Sequence, residues 1–150
     1  MKLNRIRFVR DSRGQSLVEF ALILPMMLLV MFMITEFGRA IYQYNVLSQA
    51  AREGARLAVV SGSANAVTKG EGRMTDFLSK ARLDTGATVT CEILDNYNGS
   101  GVKVVRARAD RPFTWALAGP LFTIGGGSAS KGDKASWTLR GEAIMQAETF

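Results

Sequence analysis

The chain has 150 residues, 47% of them hydrophobic, and a formal net charge of +6, which suits one modest domain with a packed core. It has no histidine and one cysteine, which excludes His-assisted nucleophiles, the commonest zinc ligand and any intramolecular disulfide, and leaves the redox compartment open. The positive charge does not mark a nucleic-acid face: residues 1–14 hold Lys2, Arg5, Arg7, Arg10 and Arg13 against Asp11, so +4 of the +6 lies in the leader and +2 in everything after it.

The first element is apolar. From Leu17 to Ile34 the only charge is Glu19. At ~1.5 Å rise per residue, a helix continuing to Phe37 crosses a hydrocarbon core of roughly 30 Å. A cleaved secretory signal is shorter and is followed by small residues at its cleavage site. Here the apolar run passes straight into further helical periodicity, so a retained span is expected. The basic residues precede this span and Arg39 follows almost alone, which by the positive-inside rule puts the N-terminus in the cytoplasm and the bulk of the chain outside. Pro25 lies within the run, where its missing donor predicts a local bend that membrane helices tolerate.

Helical spacing continues past the span. Ile34, Phe37, Ile41, Tyr44, Ser48, Ala51, Ala55 and Ala58 fall on one face, with Arg39, Gln43, Gln49, Glu53 and Arg56 largely opposite. The small residues Ala50, Ala51, Gly54, Ala55 and Ala58 let another backbone approach closely. Two packings are open, one against a neighbouring subunit and one against the chain's own sheet, and a helix has faces for both. The helix should stop around Ser61-Gly62-Ser63, where turn-forming residues cluster.

A second helix is expected from about Met74 to Leu83, with Met74, Phe77, Leu78 and Ala81 on its apolar side and Gly86 as its stop. Thr88 to Ile93 alternates, placing Val89, Cys91 and Ile93 on one face of a strand. The turn-rich stretch Asn96 to Gly101 then leads into a β-rich run from Val102 to Ala109, a hairpin with a longer loop. Near the end, Trp137, Leu139, Gly141, Ala143, Met145 and Ala147 alternate with Thr138, Arg140, Glu142, Gln146 and Glu148, and only Ile144 breaks the polar side. Between these strands, in Arg111 to Lys134, Phe113, Trp115, Leu117, Leu121 and Phe122 are expected to be partly buried, and Gly125 to Ser128 reads as a flexible linker. The fold class is α+β: a long N-terminal hydrophobic helix carrying a small antiparallel sheet.

The chain offers little for catalysis. Asp84, Glu92, Asp95 and Asp110 are scattered acids, read as solvated faces or turn residues. The glycines from Gly125 are not followed by the lysine and hydroxyl of a phosphate loop, and Lys131 and Lys134 read as solvated. Cys91 reads as a small core residue rather than a nucleophile. No spacing suits a metal, and no cofactor is expected. Trp115 and Trp137 suit the core first, with a partner surface or membrane interface as the other use.

At Gly14-Gln15-Ser16-Leu17-Val18-Glu19-Phe20 the chain resembles the leader of Flp-type (tight-adherence) pilins and their pseudopilins, in which a glycine, four residues and Glu-Tyr or Glu-Phe follow a basic stretch. The longer run "GQSLVEFALILP", then "EFGR" and "AAREGAR", resembles the TadE-like pseudopilins in particular, from Arg13 to about Val60. Beyond that only the late strand ending "AIMQAE" is similar. The resemblance implies a type IV pilin-like, non-enzymatic assembly protein. Residues 1–14 would be a leader that a prepilin peptidase removes between Gly14 and Gln15, 15–60 a transmembrane and assembly helix, and 61–150 an extracytoplasmic domain. It further implies residence in the bacterial inner membrane or in surface pili. The implied partners are other Flp-type pilins or pseudopilins and the inner-membrane assembly platform, with no nucleic acid expected. Glu19 and Phe20 would act in assembly, and Ala51, Gly54 and Ala55 in helix packing. An acid deep in a bilayer costs on the order of 3 kcal/mol, which a neighbour's new α-amino group at Gln15 would offset. The rival reading is a single-pass anchored extracytoplasmic binding module that keeps its leader.

Overall fold

A computed structural model describes residues 12–62, 65–95, 97–99, 101–116 and 136–147. The chain forms two compact units, Met1–Thr35 and Glu36–Phe150. Helix α1, Ser12–Val60, is assigned without interruption through Pro25 and contributes to both.

The described residues of the first unit, 12–35, are all helix. Every described side chain from Gly14 to Met31 is exposed. The helix contains an 18-residue window of mean hydropathy 2.6, none of it buried. Its length and composition are compatible with a single-pass membrane anchor.

The second unit combines the rest of α1 with helix α2 (Ala66–Lys80) and strands β1 (Thr88–Leu94), β2 (Val104–Thr114) and β3 (Ser136–Gln146). The strands form an antiparallel sheet in the order β1-β2-β3, with Cys91 opposite Ala107 and Ala109 opposite Gly141. This is the expected α+β arrangement. The β1–β2 connection carries a 3-10 turn at Tyr97–Gly99, with Gly99 and Gly101 at positive φ, consistent with a long-loop hairpin.

Alanine and glycine set the closeness of the layers. Ala55, Ala58, Ala66, Met74, Cys91, Val105 and Ala107 form one core cluster. Leu47, Ala50, Leu78, Leu83 and Ala109 form a second. Full burial of a side chain such as Leu47 or Met74 contributes about 1.5–3 kcal/mol. α1 stops at Val60 as expected: Ser61 donates its hydroxyl to Leu57 O at 2.7 Å, and Gly62 takes φ +74°.

Helix α2 differs from expectation at both ends. It begins at Ala66 rather than near Met74 and runs through Gly70 and Gly72. Glycines read as helix breakers because each costs ~1 kcal/mol against alanine, but Gly70 makes a close contact possible. A Cβ there would lie 2.9 Å from Cys91 Sγ and 3.1 Å from Gly54 O. At the other end the stop is Arg82, with φ +57°. Leu83 N donates to Leu78 O at 2.9 Å and Arg82 N to Ser79 O at 3.0 Å, a Schellman pattern. Gly86 belongs to the next turn, in which Ala87 N donates to Asp84 O. Gly72 is exposed, and a Cβ there would meet nothing within 4 Å. Gly72→Ala is therefore expected to stabilise the unit by up to about 1 kcal/mol, read as a higher urea midpoint at unchanged slope.

β2 is longer than the expected Val102–Ala109 because it continues through Pro112 to Thr114. β1 pairs with it only as far as Asp110. At Pro112 the strand thus has a single neighbour, Thr138 of β3, an edge-like position where a missing donor is tolerated. The polar face of the sheet carries cross-strand ion pairs: Arg106 and Arg108 reach Glu142 at 3.3 and 3.5 Å, and Arg140 reaches Asp110 at 2.8 Å. Each contributes up to about 1 kcal/mol. Asp110 is thus an ion-pair partner, and the exposed Asp95 pairs with Lys103 at 3.5 Å, whereas Glu92 is exposed. Leu117, Leu121, Phe122, Gly125 to Ser128, Lys131 and Lys134 lie outside the described residues.

Candidate functional site

The N-terminal motif sits on open helix. Gly14 falls in the first turn of α1, where a Cβ would meet nothing within 4 Å. One turn separates Gln15 from Glu19, and Gln15 Nε2 donates to Glu19 Oε1 at 3.2 Å. Glu19 and Phe20 are both exposed. Among the described residues Glu19 makes no ion pair, so its partner within the chain is a neutral amide.

The second motif, Glu36-Phe37-Gly38-Arg39, organises the start of the second unit. Glu36 is 5% exposed. Its Oε2 lies 2.6 Å from an Arg39 guanidinium nitrogen, and its Oε1 accepts the Ala116 N–H at 3.0 Å. Arg39 also donates to Thr114 O at 2.6 Å, and its guanidinium stands 4.6 Å from the centroid of the Phe113 ring. The two charges thus pin residues 113–116, at the end of β2, to one turn of α1. Phe113 is buried, as expected, beneath this clasp.

Three edge-to-face contacts extend the clasp. Trp115 meets Phe37 at 5.9 Å, Phe113 at 5.4 Å and Trp137 at 5.7 Å. Trp115 is half-buried, but Trp137 is 62% exposed, against the expectation of core packing for both tryptophans. Alternation correctly puts Trp137 on the same side of β3 as Leu139 and Gly141 but says nothing about how far the helix beneath extends. The sequence reading gave Glu36 and Arg39 no role of their own. An acid and a base three residues apart, flanking an aromatic at the end of an apolar run, was the available signal.

The buried side of α1 is also rotated from the expected one. Ala51, Ala55 and Ala58 are buried, but Phe37, Ile41 and Tyr44 are exposed, and Gln43, expected outside, is 7% exposed. The stripe facing the sheet and α2 is Glu36, Gln43, Leu47, Ala50, Gly54 and Ala58. Hydrophobic spacing picks the most apolar face, whereas the sheet selects the face that its backbone can reach. At Gly141 a Cβ would collide with the Leu47 carbonyl group and the Ser48 nitrogen. Ala51, Gly54 and Ala55 are enclosed by the chain itself. A Cβ on Gly54 would meet the Met74 side chain, and Gly70 O at 3.0 Å.

Cys91 behaves as a core residue. It is buried, its N–H donates to Glu71 Oε1 at 3.1 Å, and burial, then Glu71 and Glu92, push its thiol up to about 11. The thiolate fraction at pH 8 is then on the order of one in a thousand. The native protein should resist alkylation at that pH and label fully once unfolded, as followed by mass. Because the folded state holds the proton longer than the unfolded one, this group lowers stability as pH rises from about 9 towards 11. Among the described residues no cluster of three or more Cys, Asp or Glu is placed to hold a metal.

Comparison with known proteins gives one match. The family model described as TadE-like protein matches residues 14–56. No curated protein and no solved structure matches the chain. The TadE-like family is associated with the Tad/Flp pilus system and is not an enzyme family. The matched segment begins at the Gly14 motif and takes in Glu19, the Glu36–Arg39 turn and the small residues up to Ala55. Over residues 14–56 the chain is similar to the TadE-like family, a likeness consistent with a TadE-like protein of the Tad/Flp pilus system.

Proposed function

We propose that the protein is a TadE-like minor pilin or pseudopilin, acting without catalysis in the assembly of a Flp-type (tight-adherence) pilus. The observation that carries this reading is the match from Gly14 onward onto a helix whose first half has no cover of its own. Exposed apolar surface on this scale needs lipid or another helix against it. The second unit has its own core, so the first half remains free for the bilayer and for neighbouring pilins.

In this reading the chain crosses the inner membrane once, with its N-terminus in the cytoplasm. A prepilin peptidase cuts between Gly14 and Gln15. Gly14 suits that role because it offers a protease bare backbone. It also lies in the first turn, where helix N–H groups lack intrahelical partners and unwinding is inexpensive. Glu19 then sets register by pairing with the new α-amino group of an adjacent subunit, a stronger partner than its own Gln15 amide.

Mass spectrometry of the N-terminus in membrane preparations tests the processing step. The expected chain starts at Gln15, and Gly14→Val leaves the precursor intact. A chain starting at Met1 in cells that contain the peptidase favours an anchored binding module instead. Glu19→Ala is expected to leave processing unchanged and to abolish or sharply reduce piliation. Unchanged piliation would remove the register role.

A further inference from the structure

We infer that the aromatic cluster Phe37–Trp115–Trp137 is a membrane-interface contact that rests on the headgroup–acyl boundary of the bilayer that α1 spans. This rests on the single-pass reading of α1 and adds a lipid surface as partner of the second unit.

Chain connectivity limits how far the cluster can lie from the bilayer. A helix from Leu17 to Phe37 is about 30 Å long, the thickness of the hydrocarbon core, so Phe37 marks the boundary. Phe37 is only two residues beyond Thr35, the last residue of the first unit, and two residues reach at most ~8 Å however the chain bends. Trp115 is one ring contact from Phe37 and Trp137 one further, at 5.9 and 5.7 Å.

Composition and exposure identify the surface as lipid. Phe37 on α1 is 47% exposed and Trp137, which alternation places on the sheet's inner side, is 62% exposed, a costly arrangement in water for two aromatic rings. An indole suits the bilayer boundary, with its ring among upper acyl segments and its N–H among headgroups. The adjacent charge is already satisfied, since Arg39 is paired with Glu36 and bonded to Thr114 O. The contact is therefore apolar and interfacial rather than a recognition site for anionic lipid. It should be insensitive to salt and should form equally on zwitterionic and anionic bilayers.

Trp115 and Trp137 are the only tryptophans in the chain, so intrinsic emission reports on this cluster alone. The full chain would be reconstituted into phosphatidylcholine vesicles carrying bromines at either shallow or deep acyl positions, and flotation scored alongside fluorescence. The expected result is flotation, a blue-shifted emission, and greater loss of emission with shallow than with deep bromines. In Trp115→Phe, where Trp137 alone reports, the shallow-bromine loss should persist. Flotation without lipid quenching, or its disappearance in Trp115→Phe, overturns the inference and leaves the anchor intact. Failure to float overturns the anchor reading and this inference with it.

Discussion

Gly141→Val is expected to destabilise the second unit severely. β3 crosses α1 at this residue with no side chain between the two backbones, and a Cβ would fall against the Leu47 carbonyl group and Ser48 N. A flexible side chain can swing away from a clash, but a helical peptide group cannot, because its hydrogen bond fixes it. Relief would require β3 to lift, uncovering Leu47, Ala50 and Ala109 together. Overpacking typically costs 1–3 kcal/mol, and a collision with backbone belongs at or above the top of that range, about 3 kcal/mol or more. For a unit of this size that lowers Tm by more than about 10 °C. Thermal unfolding of the full chain in detergent, followed by tryptophan emission, measures it. A Tm within a few degrees of the parent would mean that β3 does not seat on α1 in this way.

Arg39→Ala is expected to destabilise more than Glu36→Ala. Removing Arg39 takes the 2.6 Å guanidinium contact from the buried Glu36 carboxylate and frees Thr114 O and the face of Phe113. Removing Glu36 leaves a guanidinium that is 38% exposed, still bonded to Thr114 O and able to reach water. The first change should cost about 3 kcal/mol and the second about 1 kcal/mol. The double variant should be less damaged than the sum, since it strands no charge. Urea unfolding of the three variants at pH 7 provides the comparison. Equal losses would mean that the pair acts only as a surface ion pair.

The features legible from sequence were those written into one stretch of chain. The apolar span, the stop after Val60, the alternation of β1 and β3 and the motif at Gly14 all follow from local residue order. Features set by distant partners were misread or missed. Gly70 looks like a breaker until it is seen against Gly54 and Cys91. Gln43 looks like a surface residue until the sheet settles on its side of α1. The clasp depends on Ala116 and Thr114, some eighty residues from Glu36, a separation that no helical period can report. The same limit applies to Ala51, Gly54 and Ala55: their smallness announces close packing without naming the partner, which within this chain is α2 for Gly54 and the α2–sheet core for Ala55.

The shared helix implies two different rules of substitution along one continuous element. Between Leu22 and Met31 the side chains are exposed, so the chain's own packing sets no limit on the size of an apolar residue there. From Leu47 to Ala58 the permitted volume is capped by the backbones and side chains of other elements, and a single added methyl at Gly54 meets Met74. A saturation scan of α1 should therefore show a size-blind, polarity-sensitive first half and a size-limited second half, with the crossover near Glu36. Variation between relatives would follow the same division. Beyond the Gly14–Phe20 motif the first half would drift within greasy residues, and the buried positions of the second would change only together with the strand or helix that rests on them.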